Sequence, residues 1–204
     1  MIAKKKCLIS TKRQSNIKFS RKLFVIASEG TKTEPDYFKN LKRIVNNASI
    51  TIKLLTSSSG TSPGALLKRI TKYLGENEIT DQDEAWVVMD RDQWDKDHII
   101  EVINWTSENK HYGLALTNPK FEYWLLLHFE DGKGVRTSNE CTSKLKKHLP
   151  KYGKSLSTKD LNLKNVQKAV NLLEKKAQLR NQDLIDEFGT TVHVLVKKII
   201  GKEQ

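Results

Sequence analysis

Short, wholly apolar runs alternate with longer stretches in which apolar residues recur every three or four positions, and this beat repeats along the first two-thirds of the chain. Continuous apolar runs suit strands covered on both faces, whereas the three-and-four spacing suits one face of a helix. Leu23-Phe24-Val25-Ile26-Ala27-Ser28 predicts a first strand over about 22–28. A helix follows near 34–45, with Pro35 in its first turn and Tyr37, Phe38, Leu41, Ile44 and Val45 as its apolar stripe. Ile50, Ile52 and Leu54 alternate with polar residues in a second strand, about 50–56. After a polar loop, Ser57 to Thr61, Ser62-Pro63 starts a helix carrying Leu66, Leu67, Ile70 and Leu74. The third strand is expected over 84–89, a helix over 96–108 with Ile99, Ile100 and Ile103, and the fourth strand over 111–117. Asn118-Pro119 then opens a helix with Phe121, Trp124, Leu125 and His128 on one face.

Repeated strand–helix alternation implies an α/β fold with a largely parallel sheet of about four strands flanked by helices. Beyond Asp131-Gly132 the pattern holds helices only, near 139–149, 161–180 and 190–200. Three regions follow: an aperiodic basic arm over 1–20, an α/β core over 21–132, and a basic helical extension over 133–204 packed on that core. There is no internal repeat and no low-complexity linker.

Charge sharpens this division. The net charge of +12 splits into +8 over 1–22, −5 over 23–132, +10 over 133–180 and −1 over 181–204. An acidic body flanked by basic segments attracts polyanions through long-range steering, which points to nucleic acid as a partner. Solvated lysine faces are the plainer reading of any single cluster. No apolar run approaches the ~18 residues of a membrane span, so no membrane partner is expected. The basic start at Lys4-Lys5-Lys6 lacks the apolar stretch of a secretory signal. Cys7 and Cys141 have no C-x-x-C spacing, which argues against a disulfide framework or a zinc site and for a cytoplasmic protein.

The chemistry gathers at two predicted strand ends. Glu29-Gly30 follows the first strand and Asp90-Arg91-Asp92 ends the third. In open α/β sheets, functional groups collect outside the carboxyl ends of the strands. An Asp-x-Asp in extended backbone sets both carboxylates on one side, and two like charges that close call for a cation between them. Mg²⁺ suits such oxygen ligands, because it accepts one or two carboxylates, keeps waters and takes substrate phosphates. Between Glu29 and the first helix, Thr33 and Glu34 serve as helix caps or, with the helix N-terminus, as a holder for a phosphate oxygen. Trp94 either stacks a base or packs under the acidic loop.

Three segments resemble the RloB-like family: 23–38 (Leu23 through Glu29-Gly30-Thr31-Lys32-Thr33-Glu34-Pro35 to Phe38), Val87 to Asp92, and Asn118-Pro119-Lys120-Phe121-Glu122 to Phe129. RloB proteins are encoded in prokaryotic restriction and abortive-infection loci, often beside an ATPase, and their core looks like the TOPRIM fold of topoisomerases, primases and OLD-type nucleases. The resemblance implies that Glu29 is the TOPRIM glutamate and that Asp90 and Asp92 are its Asp-x-Asp, holding Mg²⁺ or Mn²⁺ and the scissile phosphate. It leaves Glu34 and Glu122 with second-metal or positioning roles. Lys32 either offsets phosphate charge or is an ordinary solvated loop lysine. His193, in a Val-His pattern near the end, is either an edge of the site or structural, and His128 is expected to be structural.

The resulting expectation is a metal-dependent nuclease that hydrolyses phosphodiester bonds in DNA or RNA as an anti-phage, abortive-infection effector, held in check by a partner ATPase. Two rivals remain: a non-catalytic nucleic-acid-binding subunit of a defence complex, and a phosphatase or phosphotransfer protein. The last usually carries a nucleophilic Asp-x-Asp on the first strand, where this chain has glutamate. Oligomeric state stays open.

Overall fold

The computed structural model describes residues 21–56, 60–91, 94–176 and 180–201. The basic arm over 1–20, and Asp92 with it, lie outside the described residues. The sheet has five strands: β1 (Lys22–Ser28), β2 (Ile50–Leu55), β3 (Glu84–Asp90), β4 (Tyr112–Asn118) and β5 (Gly189–Thr190). Their spatial order is β2-β1-β3-β4-β5, with the first four parallel and β5 antiparallel to β4.

Helices α1 (Thr33–Val45), α2 (Pro63–Glu76) and α3 (Lys96–Ser107) make the crossovers. A short α4 (Glu122–Leu126) follows β4. The extension adds α5 (Ser138–His148), α6 (Leu163–Lys175) and α7 (Val192–Ile200).

Alternation along β1 shows why its run is unbroken. Phe24 and Ile26 enter one apolar cluster, with α1, α4 and the helices of the extension. Val25 and Ala27 enter the other, with α2 and α3. Successive side chains point to opposite faces of a strand, so a strand covered on both sides must be apolar at every position. Cys141 and Leu145 of α5, Val166 and Val170 of α6, and Leu195 and Ile199 of α7 bury themselves in the same cluster as Phe24 and Trp86. At the start of β3, buried Glu84 accepts hydrogen bonds from Lys22 (2.6 Å), Lys198 (2.8 Å) and the Trp86 indole (3.0 Å), tying α7 to the sheet edge opposite the strand ends. Burial alone would raise the Glu84 carboxyl; these donors outweigh it and hold its pKa low.

Two expectations are corrected. The region past Asp131 contains β5, so it is not helical throughout, and this short strand joins the largely parallel sheet expected from the first four. A two-residue strand has no period to read; β4 recruits it through paired threonine hydroxyls, Thr117 and Thr190 at 2.8 Å, and the Thr191 N–H donating to Leu116 O at 2.9 Å. The other concerns the helix after Asn118-Pro119. That peptide is cis and precedes the helix, which starts at Glu122. Residues 121–128 are buried all round rather than on one face, as befits a helix enclosed between a sheet and other helices. No helix among the described residues is long and apolar enough to cross a membrane.

Candidate functional site

The chain winds from β1 outward to β2, then returns past β1 to β3 and continues to β4 and β5. The direction of winding therefore reverses between β1 and β3, and a crevice opens outside the carboxyl ends of strands at such a point. Glu29 and Asp90 stand on its two sides.

Both carboxylates are fixed by the backbone of the neighbouring element. The Glu29 N–H donates to Val88 O at 3.0 Å, continuing the β1–β3 ladder past the strand end. Glu29 Oε2 in turn accepts the Asp90 N–H at 3.1 Å. Asp90 Oδ1 accepts the Phe121 N–H at 2.8 Å, which ties β3 to the approach to α4. Arg91 turns the other way: its Nε donates to Ile185 O at 2.7 Å and its Nη1 to Trp94 O at 2.8 Å. Trp94 packs against the α2–α3 cluster, the packing role of its two readings.

A cavity of about 290 Å³ beside the strand ends is lined by Glu29, Glu34, Asp90 and Glu122, with the lysines Lys32 and Lys154. Five sequence candidates thus meet at one place. Glu34 Oε1 accepts the Gly30 N–H at 3.1 Å, and a Cβ at Gly30 would stand 1.9 Å from Glu34 Oε2. Only glycine allows that approach. Burial, chiefly, with the negative charges of Glu122 and Glu29, pushes the Glu34 pKa up to about 7 against the pull of the N–H groups it accepts from.

Neither Thr33 nor Glu34 caps α1 as the sequence suggested. Lys32 is the N-cap residue, without a side-chain cap bond. Thr33 Oγ1 instead donates to Lys154 O at 3.0 Å and lies 3.2 Å from the Tyr152 hydroxyl. That hydroxyl donates to Glu122 Oε1 at 3.0 Å. Glu122 is buried. Lys32 is exposed at the cavity rim.

The histidines lie elsewhere. His128 is enclosed by Tyr37, Trp124 and Phe129, and burial drives its pKa down to about 3. His193, in the first turn of α7, sits with Nδ1 3.2 Å from Thr190 O, and burial lowers its pKa. Neither lines the cavity. Sequence reading missed Tyr152 and Lys154, which come from the extension and carry no motif; their one signal was membership of a strongly basic stretch.

Among the described residues, no group of three or more histidine, cysteine, aspartate or glutamate side chains is disposed to hold a metal ion. Of the three predicted ligands, Glu29 and Asp90 are described and Asp92 is not. The pair still has the right chemistry for a hard cation. Both are oxygen donors held by backbone N–H groups in a polar cavity, and Mg²⁺ needs few protein ligands because it keeps waters.

A doubly wound, mostly parallel sheet with a glutamate after its first strand and an aspartate closing its third is consistent with the TOPRIM-like class of α/β proteins. Comparison with family models gives a match to RloB-like protein over residues 24–199. The chain belongs to the RloB-like family. No curated protein and no solved structure compared with it matches.

Proposed function

We propose that the protein is a metal-dependent nuclease that hydrolyses phosphodiester bonds in DNA or RNA and serves as an effector of anti-phage defence. One observation carries the reading: Glu29 and Asp90, from adjacent parallel strands, are anchored by backbone N–H groups at the switch point of the sheet, on a cavity that also holds Glu34 and Glu122. Membership of the RloB-like family supports the defence setting and a partner ATPase.

Glu29 and Asp90, with Asp92, would hold Mg²⁺ or Mn²⁺. Such an ion would supply Lewis acidity and a water of lowered pKa. The chain's own contributions are distinct. Backbone N–H groups aim the Glu29 and Asp90 carboxylates, so little reorganisation remains when substrate arrives. Tyr152 holds Glu122 by one oxygen, and Gly30 holds Glu34. Lys32 faces the charge of the bound strand from the rim, and the basic segments raise the local concentration of nucleic acid.

The test is a substrate panel of plasmid, single-stranded DNA, RNA and a small phosphate ester, each with Mg²⁺, Mn²⁺ or chelator. The proposal expects cleavage of a nucleic acid that the chelator abolishes. Salt-sensitive binding without cleavage would leave a binding subunit, and release of phosphate from the ester alone would leave a phosphatase.

A further inference from the structure

The loop over 152–156, between α5 and α6, is laced to α1 by three hydrogen bonds. Thr33 Oγ1 donates to Lys154 O at 3.0 Å, Asn40 Nδ2 to Leu156 O at 2.8 Å, and Ser155 Oγ to Asp36 Oδ2 at 3.0 Å. Thr33 and Asn40 are buried, which makes the lacing part of the interior rather than a surface contact. Within this loop Lys154 has φ +68°, the left-handed region that a side chain with a Cβ adopts at a cost. Such positions persist where the surroundings dictate them, and they gather at functional sites. Here the Thr33 hydroxyl holds the Lys154 carbonyl itself.

Lys154 is an exposed residue on the lining of the cavity that holds the four acidic side chains. None of the ion pairs found among the described residues involves it. A phosphodiester entering this cavity meets a repulsive field from its carboxylates, and a cation on the cavity wall offsets that field. An ammonium suits the task as a compact point charge with three donors.

We propose that Lys154 is a phosphate contact of this cavity, its ammonium meeting a non-bridging oxygen of the bound strand, and that the extension therefore completes the site. The proposal rests on the reading of the cavity as a phosphodiester site.

Lys154→Gly and Lys154→Asn test it in the full chain, because both remove the charge while suiting the left-handed backbone. Their thermal midpoints are expected at or above that of the wild type, so unfolding cannot account for lost binding. Fluorescence anisotropy then follows a labelled single-stranded DNA and, in a second arm, an RNA of the same sequence, with Ca²⁺ replacing Mg²⁺ across a salt series. In whichever arm binds, affinity should fall several-fold, and the slope of log K against log salt should shrink by about 0.7, one phosphate contact on a single strand. Lys154→Arg should retain most of both. Variants that match the wild type in affinity and slope overturn the assignment of Lys154 and leave the phosphodiester reading standing. Thermal midpoints that fall in both the glycine and asparagine variants would mark the lysine as structural and overturn it too. A wild type that binds neither strand overturns the phosphodiester reading, and this proposal with it.

Discussion

At Gly30 the chain must leave room for a carboxylate rather than make a turn. The Glu34 carboxylate lies where a Gly30 Cβ would be, and the Gly30 N–H donates to it. Gly30→Ala should therefore push the carboxylate off its donor and lower stability by about 1–3 kcal/mol, the cost of a buried polar group losing its partner. The same change in a Glu34→Ala background should cost far less. A double-mutant cycle by denaturant unfolding reads that coupling, and additive costs would refute the close approach. Glu34 also gives the site a pH signature. Its folded-state pKa is raised to about 7 from an ordinary 4.5, chiefly by burial, so the stability it contributes is present below about 4.5 and is lost as pH rises through 7. In metal-free buffer, Glu34→Gln should match the wild type near pH 5 and exceed it near pH 8 by about 3 kcal/mol. Equal stability at both pH values would contradict the buried, crowded placement of Glu34.

Among the elements, β1 to β4 and the crossover helices were legible because each obeys one local rule. A strand covered on both faces reads as an unbroken apolar run, as Phe24 to Ala27 does, and α1 keeps its stripe of Tyr37, Phe38 and Leu41. α4 was legible as a helix but not as a buried one: Glu122 looked polar, and its burial shows only where Tyr152 of the extension donates to it; His128, expected to be structural, is interior just beyond the helix. That enclosure is testable through His128. Burial lowers its folded-state pKa from 6.5 to about 3, so its contribution to stability is complete above 6.5 and is lost as pH falls toward 3. The loss amounts to something on the order of 5 kcal/mol. His128→Phe should flatten the stability–pH curve over that window, measured by urea unfolding at successive pH values; an unchanged slope would place the histidine in contact with water. β5 escaped the sequence for the opposite reason to the long strands, since two residues hold no period and only the β4 edge gives them a partner.

Across the whole molecule, the site draws on segments far apart in sequence. Glu29 and Asp90 could be placed from strand ends alone, because the parallel order of β1 and β3 brings their carboxyl ends together. Thr33 and Lys154 are 121 residues apart, and nothing local announces that they meet. The helical extension is thus a wall of the core that also reaches the site, Lys154 on the cavity lining and buried Tyr152 behind Glu122. Its charge fits the same account, since residues 133–180 carry +10 beside an acidic core. The central claim is that Glu29 and Asp90 at the switch point perform metal-dependent phosphodiester hydrolysis. Its most direct measurement is the rate of nucleic-acid cleavage in Mg²⁺ or Mn²⁺ by the wild type, Glu29→Gln and Asp90→Asn. Both variants keep the oxygen that accepts the Asp90 and Phe121 N–H groups, so their folds and thermal midpoints should survive. The account predicts a loss of at least about 10²-fold in rate for each, the scale expected when a preorganised charged group is removed from a site. Cleavage by either folded variant at the wild-type rate would contradict it.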